Sequence, residues 1–242
     1  MRNIILLLLL LSFSAVESQS QLREQIRLGY LFSYIPDSTK PSVSKQDYMH
    51  LDILSDSGSI FYSKELADKQ RLLKKEEAIA QEMIKSGVFD VHMMKKYVSI
   101  NSVQDIIIKH YQSGKLIHGT NVGLFLYYTE PKPIFNWQLI ADTATINSLF
   151  CQKAVTWFGG RHYTAWFCKD IEITDGPWKF SGLPGGIVKV YDDQNFFIYE
   201  LKEVERLKNE TVNLDLNAAD KDARFYPEQK SRIMKLMKTY YE

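Results

Sequence analysis

The stretch of sequence that decides the fold is CQKAVTWFGGRHYTAWFC, residues 151–168. Two runs rich in β-branched and aromatic residues flank the pair Gly159-Gly160 in its middle. Two glycines between such runs are typical of a two-residue hairpin loop, because both loop positions need positive φ. The stretch therefore predicts an antiparallel hairpin in which Phe158 pairs with Arg161.

The register of this hairpin places the two cysteines of the chain, Cys151 and Cys168, directly opposite each other. Because pairs alternate outward from the loop, these two form a non-hydrogen-bonded pair, in which Cβ atoms lie about 4.5–5.5 Å apart. That separation is near the one a disulfide needs. We therefore predict a disulfide between them. The alternatives are two buried free thiols and a bulge that shifts the register.

Outward from this hairpin, short β-type runs separated by polar turns recur along the chain. We predict strands over 28–34, 47–54, 60–62, 106–108, 115–118, 122–128, 135–139, 144–146, 187–191 and 196–201. A helix over 64–85, with Ser63 as its N-cap, interrupts them, and 230–241 forms a short basic helix or no ordered element. The chain is therefore predicted to be mainly β with minor α: an antiparallel curved sheet or half-barrel with a helical insertion near the N-terminus.

The composition fits a soluble, β-rich globular domain. Of the 242 residues, 45% are hydrophobic, 24% are charged and 13% are aromatic, and the aromatic content favours β structure. A net charge of +1 argues against a dedicated nucleic-acid-binding protein. Two cysteines exclude a disulfide-dense scaffold and a four-cysteine zinc site.

The first residues have the pattern of a secretory signal peptide. Arg2 supplies a positive start, an apolar run covers 4–16, and small residues follow, with Ser18 or Ser20 as the last residue before cleavage. The run is shorter than the about 20 residues that a membrane span needs, and no cysteine for lipid attachment lies nearby. We therefore expect residues 1–18 to be removed, and 19–242 to form one exported domain, located in the periplasm or secreted.

The region from Trp166 to Val190, WFCKDIEITDGPWKFSGLPGGIVKV, resembles the signature of the GLPGLI family, a group of exported proteins from bacteria with an outer membrane. Further segments resemble other elements of that family: 49–51, 59–63, 151–154, 160–166 and 175–180. Two positions depart from the pattern, since Gly186 stands where the family name has Leu, and Cys168 stands where a residue such as Thr is expected. The resemblance implies export and a β-rich fold, and it implies no particular activity.

The motif Gly182-Leu183-Pro184-Gly185-Gly186 is followed by Ile187 and the strand it begins. Pro-Gly is typical of a type II turn, because Pro presets the first φ and Gly supplies the positive second one. Glycines at 182 and 186 also permit a backbone or a ligand to approach closely. The spacing differs from that of a phosphate-binding loop, so we favour a turn over an anion site.

Large aromatic side chains surround the motif, and they suggest a ligand site. We name Arg161, Trp166, Trp178, Phe180 and Leu183 as candidate ligand-binding residues. Aromatics beside glycines either pack in a core or line a cavity for an apolar or extended ligand. By analogy of fold pattern with the half-barrels of periplasmic lipoprotein carriers, a lipid or a peptide is the expected ligand.

Two other classes of function stay open. Arg161, His162, Asp170 and Asp175, with Glu172 nearby, could perform acid–base chemistry in an enzyme that acts on cell-envelope or peptide substrates. Alternatively, an edge strand could add to a partner's sheet, as in an assembly partner of an outer-membrane protein. The five histidines are scattered, with no ligand-pair spacing, so no metal site and no cofactor are predicted. A non-catalytic binding protein is the favoured hypothesis.

Overall fold

The computed structural model describes residues 25–54, 57–68, 102–121, 125–207 and 225–241. The predicted signal peptide, and the predicted helix beyond residue 68, lie outside the described residues. No helix in the described part of the chain is long and apolar enough to cross a membrane.

Within the described residues, twelve strands form a single sheet, and the fold is mainly β, as predicted. The strands are β1 (Gln25–Tyr34), β2 (Lys45–Leu54), β3 (Gly58–Ser63), β4 (Ile106–His110), β5 (Lys115–Asn121), β6 (Phe125–Pro131), β7 (Gln138–Ile146), β8 (Leu149–Phe158), β9 (Arg161–Cys168), β10 (Gly186–Asp192), β11 (Phe197–Leu207) and β12 (Phe225–Pro227). Their order across the sheet is β12-β6-β5-β4-β3-β2-β1-β11-β10-β9-β8-β7. Neighbours are antiparallel, except that β12 runs parallel to β6.

The sheet is curved, because a loop near one end contacts strands near the other. Seven steps separate β10 from β6, a distance of about 33 Å in a flat sheet. Lys179 nevertheless contacts Glu130 on β6, although only seven residues separate it from Gly186, where β10 begins. Seven extended residues reach at most about 25 Å, and this segment is not extended, because it folds back in the bridge between Asp175 and Ser181. The ends of the sheet therefore bend toward each other around a concave face.

The central hairpin has the predicted loop and register. Phe158 pairs with Arg161, and the ladder continues to Gln152 and Phe167. Both loop glycines have positive φ, 58° and 80°. A second two-residue loop, Asn147-Ser148 between β7 and β8, was not predicted, and its φ values of 51° and 65° match the same turn type.

The predicted disulfide is not formed in the structure, although the register that suggested it is confirmed. Cys151 and Cys168 are both buried free thiols. The described β8–β9 ladder ends at the pair before them, and the Cys151 thiol donates to the carbonyl oxygen of Leu149 at 3.4 Å. Burial raises the pKa of Cys151 to about 11, with a smaller contribution from Cys168 beside it. The alternative of two buried thiols therefore describes the structure.

The region after Pro133 differs from the prediction of two short strands over 135–139 and 144–146. Phe135 and Trp137 lie outside any strand and pack against the main core, and the Trp137 indole N–H donates to the Ser181 carbonyl at 2.9 Å. A single strand, β7, then runs on to Ile146, with an irregularity in its register after Leu139. Tertiary packing of the two aromatics thus overrides their local β preference.

The predicted helix start at residue 64 is confirmed, and of the two alternatives for residues 230–241 the structure has the helix. Ser63 caps the helical turn over 64–68, because its hydroxyl accepts the Leu66 N–H at 3.3 Å. The C-terminal helix α1 (Lys230–Tyr241) is ordered, and its Ile233 packs against Leu126 and Tyr128 of β6.

Candidate functional site

The connection between β9 and β10, residues 169–185, lies on the concave face of the sheet, and we term it the motif loop. The bridge between Asp175 and Ser181 closes its middle part. The loop carries the segment 175–180 and the whole of the GLPG stretch, residues 182–185.

Asp175 is the principal anchor of the motif loop and is only 3% exposed. One of its carboxylate oxygens pairs with Lys109 of β4 and accepts the Gly176 N–H. The other accepts hydroxyl hydrogens from Ser59 and Tyr111, each at 2.6 Å. Burial alone would raise the pKa of Asp175, but the Lys109 charge and these hydrogen bonds hold it below the ordinary value.

Lys109 is fully buried and has three acceptors on the motif loop. Besides Asp175, its ammonium donates to the carbonyl oxygens of Gly176 at 2.7 Å and Phe180 at 3.1 Å. All three ammonium hydrogens therefore have acceptors, as a buried charge requires. Burial lowers the pKa of Lys109, and the Asp175 carboxylate opposes that shift.

A second ionic cluster fixes the loop to β6 and α1. Glu130 accepts from Lys179 of the motif loop and from Lys230 of α1, both at 2.5 Å. The two cations hold the pKa of Glu130 below its ordinary value, although burial opposes this. The motif loop, β6 and the C-terminal helix are thus tied to one carboxylate.

Aromatic packing fills the space between the motif loop and the sheet. Phe180 is fully buried and lies 4.9 Å from Tyr163, 5.2 Å from Phe135 and 5.5 Å from Trp178, between ring centroids. Trp178 has an unusual φ of 51°, which directs its backbone around this cluster. The concave face next to Phe180 is therefore occupied by the protein's own side chains.

The GLPG stretch forms a bend that differs from the predicted type II turn. Gly185 has a φ of 153°, away from the about 80° that a type II turn needs. A Cβ at this position would lie 2.3 Å from the backbone oxygen of Cys168. At Gly186 it would lie 2.5 Å from Ile171. The close approach predicted for Gly186 therefore exists, and the group that approaches belongs to the protein.

Four of the five candidate ligand residues lie in or against the main core. Phe180 and Leu183 are buried in the main core, and Ile187 beside them is buried too. Trp178 and Trp166 are both half-buried and pack against the same core. Trp166 also pairs across strands with Lys153, whose ammonium lies 6.0 Å from its ring centroid. Core packing thus accounts for the positions of Phe180, Leu183, Trp178 and Trp166.

Arg161 joins two turns of the sheet. Its guanidinium donates to buried Asp192 at 2.6 Å and to the Gln194 side chain at 3.2 Å, and it lies 5.0 Å from the ring centroid of Phe197. The β8–β9 hairpin is thereby tied to the turn between β10 and β11.

The residues proposed for acid–base chemistry lie in three separate places. Arg161 and His162 begin β9, whereas Asp170 lies in an exposed turn beyond the other end of that strand. Eight strand residues span about 26 Å. Asp175 is buried and paired with Lys109. The structure therefore does not assemble this set into an active site.

The β7 strand is the long open edge of the described sheet. Within the described residues it pairs with β8 alone, whereas the opposite edge is the three-residue β12, which ends in Pro227. Ile146 and Leu149, which flank the Asn147-Ser148 loop, form a hydrogen-bonded pair. Because the two kinds of pair alternate along the strands, Thr145 and Phe150 form a non-hydrogen-bonded pair. The backbone N–H and C=O of Thr145 therefore point away from β8, toward the open side.

Apolar side chains accompany this open edge. Phe150, which is 65% exposed, lies across from Thr145 on the same face, and Leu139 near the other end of β7 is 49% exposed. Ile134, just before the strand, is also exposed. The edge thus offers both unpaired backbone groups and apolar contact surface, the two components of strand addition.

Solved structures with a similar fold include PNGF-II, in two crystal forms. Each superposes with a TM-score of 0.56 and 10% sequence identity, covers 90% of this chain, and corresponds to about a third of the PNGF-II chain (33% and 34%). At this identity the similarity concerns the fold alone. A domain assigned as an outer membrane lipoprotein-sorting protein from Vibrio parahaemolyticus reaches a TM-score of only 0.33 at 7% identity, over 81% of this chain and 90% of that one. No protein-family model and no curated protein matches the sequence significantly.

Sequence reasoning missed Lys109, Thr145 and the Asn147-Ser148 loop. Nothing around Lys109 distinguishes it from a surface lysine on an alternating strand. The loop had a usable signal, since Asn tolerates positive φ and stands between two β-type runs.

Proposed function

We propose that this protein is an exported, non-catalytic binding protein of the GLPGLI type that takes an extended polypeptide segment of a partner at the open edge of β7. The observation that carries the proposal is the orientation of Thr145, whose backbone donor and acceptor face away from β8. An outer-membrane protein is the partner class that fits an exported chain.

Two further observations support the edge as the binding surface. The concave face, the alternative location, is filled by the motif loop and held by the buried Asp175–Lys109 pair. The opposite edge strand is short and ends in proline, a common protection against strand addition. The exposed side chains of Phe150 and Leu139 would contact alternate residues of an added strand.

A proline at position 145 tests this proposal. Proline removes the outward N–H but no bond of the β7–β8 ladder, so the sheet should tolerate it at an edge. Peptides selected from a displayed library of random linear sequences against the wild-type protein serve as probes, with fluorescence anisotropy as the readout. We expect Thr145→Pro to weaken binding about tenfold, the value of one hydrogen bond of about 1.4 kcal/mol.

Thr145→Val is the matched control, because it keeps the N–H and the β-branched shape. Equal affinity of the proline variant and the wild type, with both folded by circular dichroism, would contradict the proposal. Light scattering tests whether a second copy of the chain binds at this edge instead. A wild-type dimer that Thr145→Pro dissociates would overturn the assignment to a partner's peptide and show that the edge binds a second copy.

Export is tested separately by the intact mass of the protein recovered from outside the cytoplasm. We expect a mature chain that begins at Gln19 or Gln21, after cleavage following Ser18 or Ser20, because the small residues there fit a signal-peptidase site. A mature protein that retains Met1 would contradict the proposed export.

A further inference from the structure

A cavity of about 410 Å³ lies at one end of the sheet, between the Gly159-Gly160 loop and the turn that connects β10 to β11. It is separate from the β7 edge and from the concave face. Trp157, which is 63% exposed, forms one wall. A large apolar side chain that stays exposed in a cavity has contact area available for a ligand.

The position of the Trp157 ring is set by the strand register. Trp157 lies directly opposite His162. Because the neighbouring pair Phe158/Arg161 is hydrogen-bonded, Trp157/His162 is a non-hydrogen-bonded pair, in which the side chains lie close together. The two ring centroids are 4.5 Å apart, at an angle of 86°. The imidazole thereby supports the indole at the mouth of the cavity.

The other walls are polar and hold both donors and acceptors. Arg161 is bound to Asp192 and Gln194, and the Nδ1 atom of His162 lies 3.4 Å from Asp193. Backbone bonds fix this turn further, since the Asp193 N–H donates to the His162 carbonyl at 3.2 Å. The polar groups are therefore held in place before any ligand binds.

The charges of the lining select among ligand classes. The single arginine faces two aspartates, so the lining has no excess positive charge to attract an anion. Apart from Trp157, two glycines and polar residues line the cavity, which disfavours a lipid or an apolar peptide. A ligand that fits needs one apolar face for the indole and a rim of groups that both donate and accept hydrogen bonds.

We propose that this cavity is a saccharide-binding subsite. A pyranose ring has an apolar face of C–H groups, which stacks on indole, and hydroxyl groups around its rim, each both a donor and an acceptor. Trp157 would stack on the ring, while Gln194, Asp193 and Arg161 bind the hydroxyl groups. The volume accommodates one or two sugar rings.

The test is an NMR titration of the folded protein with three neutral trisaccharides: cellotriose, chitotriose and mannotriose. The chain has four tryptophans, and the indole N–H signal of Trp157 is identified by its loss in Trp157→Ala. We expect at least one trisaccharide to shift this signal saturably. Trp157→Ala, followed through the backbone amide signals of Gly159 and Gly160 in the same lining, should bind it at least tenfold more weakly. Phe150→Ala, which removes an aromatic of similar exposure on the same strand, should leave the affinity unchanged.

Three results would overturn the proposal. They are no saturable shift with any of the three trisaccharides, undiminished binding by Trp157→Ala, and an equal loss in Trp157→Ala and Phe150→Ala. A Gln194→Ala variant separates a polar site from simple stacking: we expect weaker binding, and unchanged affinity would also overturn the saccharide assignment. Thr145→Pro should not affect this titration, so the two binding proposals fail independently.

Discussion

Replacing Asp175 with alanine should lower the free energy of unfolding by about 3–5 kcal/mol, the usual cost of removing one partner from a buried ion pair. The variant leaves the fully buried Lys109 with a charge and no counter-ion. It also removes the acceptor of the Ser59 and Tyr111 hydroxyl groups. Urea denaturation of the two proteins measures the difference.

A matched control for this variant is Asp68→Ala, which breaks the exposed pair with Lys64 at 2.9 Å. Pairs of that kind contribute about 0–1 kcal/mol. A double variant, Lys109→Met with Asp175→Ala, should recover part of the loss, because no charge is then left buried. Similar losses for Asp175→Ala and Asp68→Ala would contradict the anchoring role of Asp175.

The same pair predicts how stability depends on pH. The pKa of Asp175 is lower in the folded protein than the ordinary value of about 3.9 in an unfolded chain. Its contribution is therefore fully present above that value and is lost as the pH falls toward the folded pKa. The wild type should lose stability more steeply than Asp175→Ala on acidification below about pH 4.

Gly185→Ala should destabilise the protein by about 3 kcal/mol or more. A Cβ at this position would lie 2.3 Å from the backbone oxygen of Cys168. Cys168 ends β9 and Gly185 directly precedes β10, so the sheet holds both backbones in place. The φ of 153° adds backbone strain of about 1–3 kcal/mol for any residue other than glycine. Thermal or urea denaturation gives the value.

Gly182→Ala separates the two contributions. This glycine has a φ of 92°, and a Cβ there would meet nothing within 4 Å. It should therefore show the conformational cost alone, about 1–2 kcal/mol. A Gly185→Ala variant no less stable than Gly182→Ala would show that the motif loop does not approach β9 as closely as described.

The sequence predicted those parts of the fold that depend on local pattern. Alternation and turn chemistry were sufficient for the Gly159-Gly160 hairpin and its register. They failed at Phe135 and Trp137, because these aromatics extend a β-type run but are held by the core and by the Ser181 carbonyl. The disulfide prediction failed differently, since a correct register brings two thiols opposite each other without joining them.

The candidate site was harder to predict, because it depends on contacts distant in sequence. Asp175 and Gly185 were singled out as turn residues, but their strongest interactions are with Lys109, 66 positions away, and with the backbone of β9. The role of Thr145 follows from which strand lies at the edge of the sheet. A single sequence does not specify that order, since β11 pairs with β1 across most of the chain.

The most direct test of a filled concave face and an open β7 edge is residue-resolved amide hydrogen exchange, with and without a library-selected peptide. In the free protein the Thr145 amide should exchange quickly and the Ala144 amide slowly, because only the latter bonds to β8. On peptide binding, we expect exchange at Thr145 to slow strongly while the amides around Phe180 are unchanged. New protection around Phe180 and Leu183, with exchange at Thr145 unaltered, would contradict it.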